Sequence, residues 1–219
     1  IRSYEQALAI IPNYVEAYAN LGITHHEHGQ LDAAVKSFEQ ALAINPDYIE
    51  AHSNLGLTLK ELGQLDAAVK SYESALVINS NFSEAHSNLG ITLYELGQLN
   101  AAVKHYEKAL TINPGYVEAK SNLALAQLVL GDFKTGWLNY ENRWKKKDFE
   151  PERDYPQPVW DGSSLIDKIL FIYCEQGIGD EIMFSSCIPD LIVQHPKLLI
   201  IECDARLKPL FHRSFPQVI

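Results

Sequence analysis

The sequence predicts a mainly α-helical solenoid, built from repeated pairs of antiparallel helices and followed by a small, partial α/β unit. The segment Ala51-His52-Ser53-Asn54-Leu55-Gly56 recurs unchanged at 85–90, and altered versions stand at 17–22 and 119–124, each 34 residues from the next. A fixed period of this length is typical of stacked two-helix repeats, in which every unit buries its apolar face against its neighbours.

Three complete units follow from this period, at 15–48, 49–82 and 83–116, after a half unit at 1–14 and before a divergent unit at 117–147. Apolar residues recur at steps of three and four within each unit, which predicts two amphipathic helices. One glycine per unit should end the first helix in a left-handed conformation, at Gly29, Gly63, Gly97 and Gly131. Prolines should end the second helices, at Pro12, Pro46 and Pro114, and Ser80 in place of one proline should loosen that turn without removing it.

Small side chains at fixed positions predict close helix packing around the larger Phe38, Tyr72 and Tyr106. The last unit departs from this pattern at Gly136 and Arg143, where alanine is expected, as a terminal unit would. The period, the small positions and the turn prolines together resemble the tetratricopeptide repeat over 1–147. That resemblance implies a right-handed superhelix whose first helices line a concave face.

One asparagine stands at the same place in every first helix, at Asn20, Asn54, Asn88 and Asn122. An amide side chain both donates and accepts hydrogen bonds, so a row of them can hold the backbone of an extended peptide. The alternative is that these amides bond to neighbouring repeats or to local backbone groups. The row is similar to the repeats of O-linked N-acetylglucosamine transferase.

A second row lies four residues earlier, at Glu16, Glu50, Glu84 and Glu118. Glutamate in the first turn is favoured by the helix dipole, and this alone could explain the row. Acids at this place argue against a clamp for a C-terminal carboxylate, for which the co-chaperone members of the family present lysine or arginine. The predicted partner is therefore a protein or peptide in the groove, without an acidic tail.

Charge and composition exclude other classes of partner. The net charge of -10 gives no electrostatic footprint for nucleic acid or an anionic membrane. The basic stretch 143–147, R-W-K-K-K, is interpreted as a solvated helix end rather than a phosphate site. No apolar run is long enough to span a membrane, and no signal segment is recognised. Cys174, Cys187 and Cys203 lack metal-type spacing and are expected to be buried thiols of a cytoplasmic protein.

Six histidines fall within the repeats, at His25, His26, His28, His52, His86 and His105. The run H-H-E-H suggests a metal site. However, His25 and His28 occupy the places of Leu59 and Leu62 in the next unit, so we expect them to be packed or semi-exposed substitutes for core residues and predict no metal. The chain also begins inside a repeat. We therefore expect it to be a piece of a longer protein whose uncovered N-terminal half unit can pair with another molecule in concentrated solution.

Beyond the repeats, residues 148–163 contain Pro151, Pro156 and Pro158 and are predicted to form an extended connector pinned by aromatic residues such as Trp160. Residues 164–219 then begin a Rossmann-like domain. The runs Lys168–Cys174 and Leu198–Cys203 predict parallel strands, and 182–193 predicts the helix between them.

The turn E-Q-G-I-G-D-E joins the first strand to that helix. Gly177 and Gly179 suggest a phosphate-binding turn, but the third glycine of the dinucleotide fingerprint would fall at Ile182. Asp180 and Glu181 at the helix start would also repel a pyrophosphate. Asp180 can instead serve as a general base at the edge of the sheet, or simply cap the helix.

The order R-W, proline-rich linker, W-D-G, strand and E-Q-G-I-G-D-E-I-M-F resembles bacterial proteins in which tetratricopeptide repeats are fused to a GT-B glycosyltransferase. The G-D step is similar to heptosyltransferases, which implies that Asp180 is the base and that Gly177 and Gly179 shape its turn. The resemblance implies a nucleotide-sugar donor for the intact protein and no cofactor in this chain. We expect no turnover by the chain itself, since it covers only two strands of the domain.

The sequence thus predicts a scaffold that binds extended peptides in a concave groove, as the targeting part of a glycosyltransferase. The alternative is a non-catalytic scaffold for complex assembly, with a degenerate α/β domain.

Overall fold

The computed structural model describes residues 1–145, 155–174 and 177–219, with side chains to 143 in the first range. Contacts between Cα atoms divide the chain into two compact units, Ile1–Glu152 and Arg153–Ile219, which are considered separately. The predicted end of the repeats at 147 lies outside the described residues. So do Lys146 and Lys147 of the basic stretch, the first part of the connector, and Glu175 and Gln176 of the glycine turn.

The first unit consists of the predicted helix pairs. Its helices are α1 (Arg2–Ile10), α2 (Val15–Glu27), α3 (Leu31–Ile44), α4 (Ile49–Glu61), α5 (Leu65–Ile78), α6 (Ser83–Glu95), α7 (Leu99–Ile112), α8 (Val117–Val129) and α9 (Phe133–Tyr140), followed by a 3₁₀ segment, Glu141–Lys145. Each first helix packs on the second helix of its own repeat, and that helix packs on the first helix of the next. Successive first helices also contact one another. They therefore form one continuous surface, here called the inner face, made by α2, α4, α6 and α8.

The glycines that end the first helices have the predicted left-handed conformation. Gly29, Gly63, Gly97 and Gly131 have φ angles of 69°, 74°, 75° and 85°. In the first of these turns the Gly29 N–H donates to the His26 carbonyl at 2.8 Å, and the Gln30 N–H donates to the His25 carbonyl at 2.9 Å. This pair of bonds is the Schellman motif, which satisfies carbonyls that the helix end would leave unpaired.

The ends of the second helices depend on asparagine as well as proline. The side chains of Asn45, Asn79 and Asn113 each accept a hydrogen bond from the backbone N–H two residues later, at 3.1, 3.0 and 3.2 Å. An asparagine turn of this kind reverses the chain without proline. Accordingly, α5 ends at Ile78 before Ser80 just as α3 ends at Ile44 before Pro46. The turn at Ser80 therefore persists, as expected, but the contribution of the asparagine was not predicted.

In the core of the repeats, an aromatic ring of each second helix packs against a glycine of the first helix, as the small positions predict. Phe38, Tyr72 and Tyr106 are at most 1% exposed. A Cβ atom added to Gly56 would lie 2.8 Å from the Tyr72 ring, well inside van der Waals contact, and Gly22 and Gly90 face their rings at similar distances. The absence of a side chain at these glycines lets the first and second helices approach closely.

The last repeat diverges in the way its sequence indicates. Its second helix, α9, has 8 residues, against 14 in α3, α5 and α7. Arg143 is 7% exposed, lies 4.5 Å above the Tyr140 ring and donates to the Glu141 carboxylate at 3.1 Å. The interpretation of 143–147 as a solvated helix end is therefore wrong for Arg143, because its guanidinium finds an aromatic and an acidic partner. The side chains of the rest of that stretch lie outside the described residues.

The second unit contains two short parallel strands, β1 (Ile169–Ile172) and β2 (Leu198–Ile201), paired from Ile169 with Leu198 to Ile172 with Ile201. Between them lie α10 (Ile178–Phe184), a 3₁₀ segment (Ser185–Cys187) and α11 (Ile188–Ile192), and α12 (Lys208–Ser214) follows β2. Both strands are shorter than predicted. Within 155–174 and 177–219 no third strand is present, so the structure supports a parallel pair rather than a complete α/β domain.

The helix predicted at 182–193 is wrong in its start and its continuity. It begins at Ile178, with Gly177 as the N-cap residue in an extended conformation, and includes Gly179, Asp180 and Glu181. It is then interrupted by the 3₁₀ segment before Pro189, which sits in the first turn of α11. Proline lacks the N–H that an uninterrupted helix requires, and it is tolerated at a helix start.

The connector, as described from Tyr155, has no helix or strand up to Asp161. The Trp160 indole donates to the Ser163 carbonyl at 2.8 Å, and the Tyr155 ring packs on the rings of Phe171 and Tyr173. These contacts within the second unit agree with the predicted aromatic anchoring.

The cysteines are not all buried as predicted. Cys187 is exposed, and Cys174 and Cys203 are partly buried. Cys187 lies in the 3₁₀ segment, where the next residue, Ile188, turns inward and is 4% exposed. No helix in the described part of the chain is long and apolar enough to cross a bilayer.

A candidate peptide-binding face and a glycine turn

The predicted asparagine row lies on the inner face, one residue on each first helix. Asn20 is exposed, and Asn54, Asn88 and Asn122 are half-buried. Three of these residues use their backbone carbonyl to accept a threonine hydroxyl one turn later, from Thr24, Thr58 and Thr92, at 2.7 to 2.9 Å. The helices therefore fix the backbone of the row firmly, while the amide side chains stand at the surface.

The amide of Asn54 makes a local bond. Its Nδ2 donates to the Glu50 carbonyl at 2.9 Å, which is the alternative that the sequence left open. One donor hydrogen and the amide oxygen remain for another partner. The side-chain amides of Asn20, Asn88 and Asn122 make no hydrogen bond within the described residues, and none of the four amides bridges two repeats there. The structure thus positions the row without assigning its ligand.

The glutamate row, Glu16, Glu50, Glu84 and Glu118, is exposed on the same face. A further acidic row, which the sequence argument missed, is formed by Glu27, Glu61 and Glu95, which end α2, α4 and α6 and are also exposed. These residues stand seven positions after the asparagines, about two helical turns away at 3.6 residues per turn. The signal was available, because 27, 61 and 95 recur at the same 34-residue period.

Neighbouring repeats are linked by contacts at this second acidic row. His26 Nε2 lies 3.1 Å from the Glu61 carboxylate, and Lys60 Nζ lies 3.7 Å from the Glu95 carboxylate. Equivalent positions of α2, α4 and α6 supply the two pairs. Exposed pairs of this kind contribute little to stability, but they fix these two glutamates between successive first helices.

Tyrosines at the starts of the first helices lie within the field of the first acidic row. Burial raises the pKa of Tyr48, and Glu50 and Glu16 raise it further. Burial likewise raises the pKa of Tyr116, a hydrogen bond with Ser87 opposes the shift, and Glu84 and Glu118 add to it. Each tyrosine is therefore influenced by glutamates of two successive repeats, Tyr48 by Glu16 and Glu50 and Tyr116 by Glu84 and Glu118.

The histidines of the first repeats form hydrogen bonds with nearby groups of the helix ends and turns. His25 is half-buried, in agreement with the expected semi-exposed position, whereas His28 is exposed. His25 bonds to the Gln30 side chain at 2.6 Å, and His28 to the Thr24 carbonyl at 2.7 Å, both around the glycine turn. His52 reaches the Pro46 carbonyl at 2.8 Å. At this semi-exposed helix end, the polar histidine rings form hydrogen bonds that the leucines at the same places of the next unit cannot form. No group of three or more metal-ligating side chains is found among the described residues.

In the second unit, Asp180 is half-buried in the first turn of α10, and its backbone N–H donates to the Gly177 carbonyl at 2.9 Å. Neither Gly177 nor Gly179 has a positive φ, and a Cβ atom added to either would meet nothing within 4 Å. The fold alone therefore does not require glycine at these two positions. They leave open space beside Asp180.

Glu181, rather than Asp180, connects α10 to the end of the second strand. Its Oε2 accepts the Asp204 N–H at 2.9 Å. Burial, followed by the charge and hydrogen bond of Glu181, raises the pKa of the Cys174 thiol to about 12, and this thiol donates to the Glu202 carbonyl at 2.9 Å. Sequence spacing did not indicate this cluster, because its members are brought together only by the parallel pairing of β1 and β2.

The stacked helix pairs define a helical repeat protein with one continuous inner face. Sequence profiles described as "TPR repeat" match 24–63 and 58–97, and profiles described as "Tetratricopeptide repeat" match 83–116 and 3–36. These matches span more than half of the chain. The chain belongs to the tetratricopeptide repeat family.

Solved structures share this fold. The crystal structure of MamA is 25% identical and superposes with a TM-score of 0.62 over 66% of this chain and 84% of its own. YrrB, described as a TPR protein with an unusual peptide-binding site, is 22% identical, with a TM-score of 0.57 over 65% of this chain and 73% of its own. The first TPR of Spaghetti (RPAP3), bound to the HSP90 peptide SRMEEVD, is 21% identical, with a TM-score of 0.53 over 53% and 93%.

Among curated proteins, Protein FlbA of Caulobacter vibrioides is 38% identical over 86 residues. The match covers 38% of this chain and 14% of the length of FlbA.

Proposed function

We propose that the chain is an interaction scaffold that holds an extended peptide on its inner face through the asparagine row. The observation that carries the proposal is the placement of Asn20, Asn54, Asn88 and Asn122 at equivalent surface positions of four successive helices. Two structural neighbours, YrrB and the Spaghetti repeat, are described as having a peptide-binding site or a bound peptide. A row of amides suits the repeating backbone of an extended chain, because each amide pairs with one peptide group regardless of its side chain.

The test starts from a ligand selected from a displayed library of random peptides. Replacing Asn88 and Asn122 together with alanine should weaken binding of the selected peptide by about tenfold or more, since each lost hydrogen bond contributes roughly 0.5–1.5 kcal/mol. Asn100 and Asn81 are exposed outside the inner face, and their joint replacement is the matched control. Helicity should be unchanged in both variants. Unaltered affinity of the inner-face variant would reject the asparagine row as the binding element.

We further propose that the scaffold is the targeting part of a glycosyltransferase, with a nucleotide-sugar donor supplied in the intact protein and Asp180 as the base. Support comes from the strand, glycine turn, helix and parallel strand in this order, and from the open space that Gly177 and Gly179 leave beside Asp180. A carboxylate at the end of parallel strands can take a proton from an acceptor hydroxyl. The free thiols of Cys174, Cys187 and Cys203 suit the reducing cytoplasm that we propose as its location.

The intact protein carrying Asp180→Asn should lose at least about 100-fold in sugar transfer, the usual scale for removing a general base. Asp190→Asn, at an exposed position of α11, is the matched control. Transfer at the parent rate by Asp180→Asn would exclude the base assignment. If the intact protein transferred no sugar from any nucleotide donor yet still bound its peptide, the second candidate, a non-catalytic scaffold for complex assembly, would stand instead.

A further inference from the structure

Charge is distributed unequally between the two sides of the repeats. The first helices α2, α4, α6 and α8 hold two lysines and seven glutamates, namely Glu16, Glu27, Glu50, Glu61, Glu84, Glu95 and Glu118. The second helices α3, α5 and α7 hold five acidic and four basic residues. The negative charge of the repeats is therefore concentrated on the inner face, and the opposite side is nearly balanced.

The glutamates lie along the asparagine row rather than at random on these helices. In α4, Glu50, Asn54 and Glu61 stand at positions i, i+4 and i+11, which are about one and three turns apart and so share one stripe of the helix. The same three residue types occupy the same positions in α2 and α6. Asn20, Asn54 and Asn88 are therefore each flanked along their helix by two carboxylates, and Asn122 is preceded by Glu118 alone.

Most of this charge is not neutralised within the protein. Among the described residues, none of Glu16, Glu50, Glu84 and Glu118 takes part in an ion pair, whereas Glu61 and Glu95 face His26 and Lys60. Carboxylates that converge along one surface without cations of their own favour a cationic ligand, and they repel an anionic one.

A buried polar atom beneath this face provides an independent indication. Tyr72 is 0% exposed, and its hydroxyl has no hydrogen-bond partner among the described residues. The Tyr72 ring packs against Gly56 of α4, one of the helices of this face. Burial raises the pKa of Tyr72, and the charges of Glu61, Glu84 and Glu95 on α4 and α6 raise it further. A buried hydroxyl without a partner is costly, and it leaves an unused hydrogen-bond acceptor beneath the negatively charged helices.

We propose that the segment bound on the inner face is basic: an extended peptide whose backbone is held by the asparagine row and whose lysine or arginine side chains lie against the flanking glutamates. The inference rests on the proposed function and names its class of ligand. It sets this chain apart from the Spaghetti repeat, whose bound peptide, SRMEEVD, carries two glutamates and an aspartate.

Fluorescence anisotropy with three labelled peptides tests the proposal on the full chain. Serine alternates with lysine in one peptide, with glutamate in the second and with asparagine in the third. The lysine peptide should bind most tightly, and its affinity should fall as salt is raised. Glu50→Gln with Glu84→Gln should weaken its binding roughly fivefold. The matched control is Glu39→Gln with Glu73→Gln, which removes the same charge from exposed positions of α3 and α5 and should leave the affinity unchanged.

Equal weakening by the two double variants would overturn the inference, because attraction would then follow net charge rather than the inner face. Equal binding of the lysine and asparagine peptides would overturn it too. Both results leave the proposed function standing, provided that a library-selected peptide still depends on Asn88 and Asn122. Selection of acidic peptides with that same dependence would reject the basic class alone, whereas loss of the dependence would reject the proposed function itself.

Discussion

The Nδ1 atoms of His86 and His105 lie 3.0 Å apart between α6 and α7, and the centres of the two rings are 5.2 Å apart. His86 also reaches the Ser80 carbonyl at 3.2 Å through Nε2 and is 9% exposed. Only one of the two facing Nδ1 atoms can carry a hydrogen if they are to bond, so this contact requires at least one neutral ring. His105 replaces the serine that α3 and α5 carry at this place, Ser37 and Ser71, whereas His86 has a histidine counterpart in His52.

The first prediction concerns pH. The pKa of His105 is lowered from 6.5 by burial and by the neighbouring His86. Between that lowered pKa and about 6.5, the unfolded chain therefore binds more protons than the folded protein. The stabilising effect of the neutral ring is complete above about pH 6.5 and is lost as the pH falls through this window. Urea unfolding should show a smaller free energy of unfolding at acidic than at neutral pH.

The variant His105→Ser is the control for that measurement, because it restores the residue type of α3 and α5 and leaves the other histidines in place. Its free energy of unfolding should fall less steeply with acidification than that of the parent. Equal slopes for the two proteins would mean that the His86–His105 contact does not contribute to the pH dependence.

A second prediction concerns the glycines under the aromatic rings. Gly56→Ala should destabilise the protein by roughly 1–3 kcal/mol, because the added methyl group would lie 2.8 Å from the Tyr72 ring and force the helices apart. Gly115→Ala, whose nearest contact is 3.5 Å away, should change the free energy of unfolding by less than about 0.5 kcal/mol. Chemical unfolding followed by circular dichroism measures both. A neutral Gly56→Ala would show that the rings can move aside.

A third prediction concerns the thiols. Cys187 is exposed and should react quickly with an alkylating reagent at mildly basic pH. Cys174 should react slowly, because its pKa of about 12 leaves little thiolate and its thiol is engaged with the Glu202 carbonyl. Mass spectrometry after timed alkylation distinguishes the sites, and denaturant should abolish the difference. Fast labelling of Cys174 in the folded protein would contradict the burial of this thiol.

A fourth prediction concerns self-association. Ile10 and Ile11 at the end of α1 are 80% and 54% exposed. Adjacent exposed isoleucines favour association, so light scattering should show an increase in mass with concentration. Ile10→Glu should remove this increase, whereas Val77→Glu, which alters a singly exposed apolar residue on α5, should not. A strict monomer at high concentration would refute the prediction.

The sequence was most informative where one structural reason recurs in every repeat. The period, the left-handed glycines and the aromatic positions each reflect packing of a unit on an identical neighbour, so several copies report the same constraint. Gly29 and Gly63 could be interpreted in this way, and so could Phe38 and Tyr72. The second acidic row was equally accessible, because Glu27, Glu61 and Glu95 recur at the same period, but it was missed.

The sequence was least informative where contacts depend on residues far apart in the chain or occur once. The asparagine turn is an exception, because Asn45, Asn79 and Asn113 are local and recur at the 34-residue period, yet their role was missed. Arg143 was taken as solvated because its aromatic partner could not be known. The contact of Glu181 with Asp204 spans 23 residues and exists only once the two strands pair, so no local pattern could indicate it.

Nuclear magnetic resonance of the protein bound to a library-selected peptide can show whether the peptide lies on the inner face along the asparagine row. It locates the ligand without altering the protein. We expect the side-chain amide signals of Asn20, Asn88 and Asn122 to shift on binding, together with backbone signals of α4 and α6. The backbone signals of the exposed faces of α3, α5 and α7 should not shift. Shifts confined to the second helices, with the asparagine amides unchanged, would contradict the inner face as the binding surface.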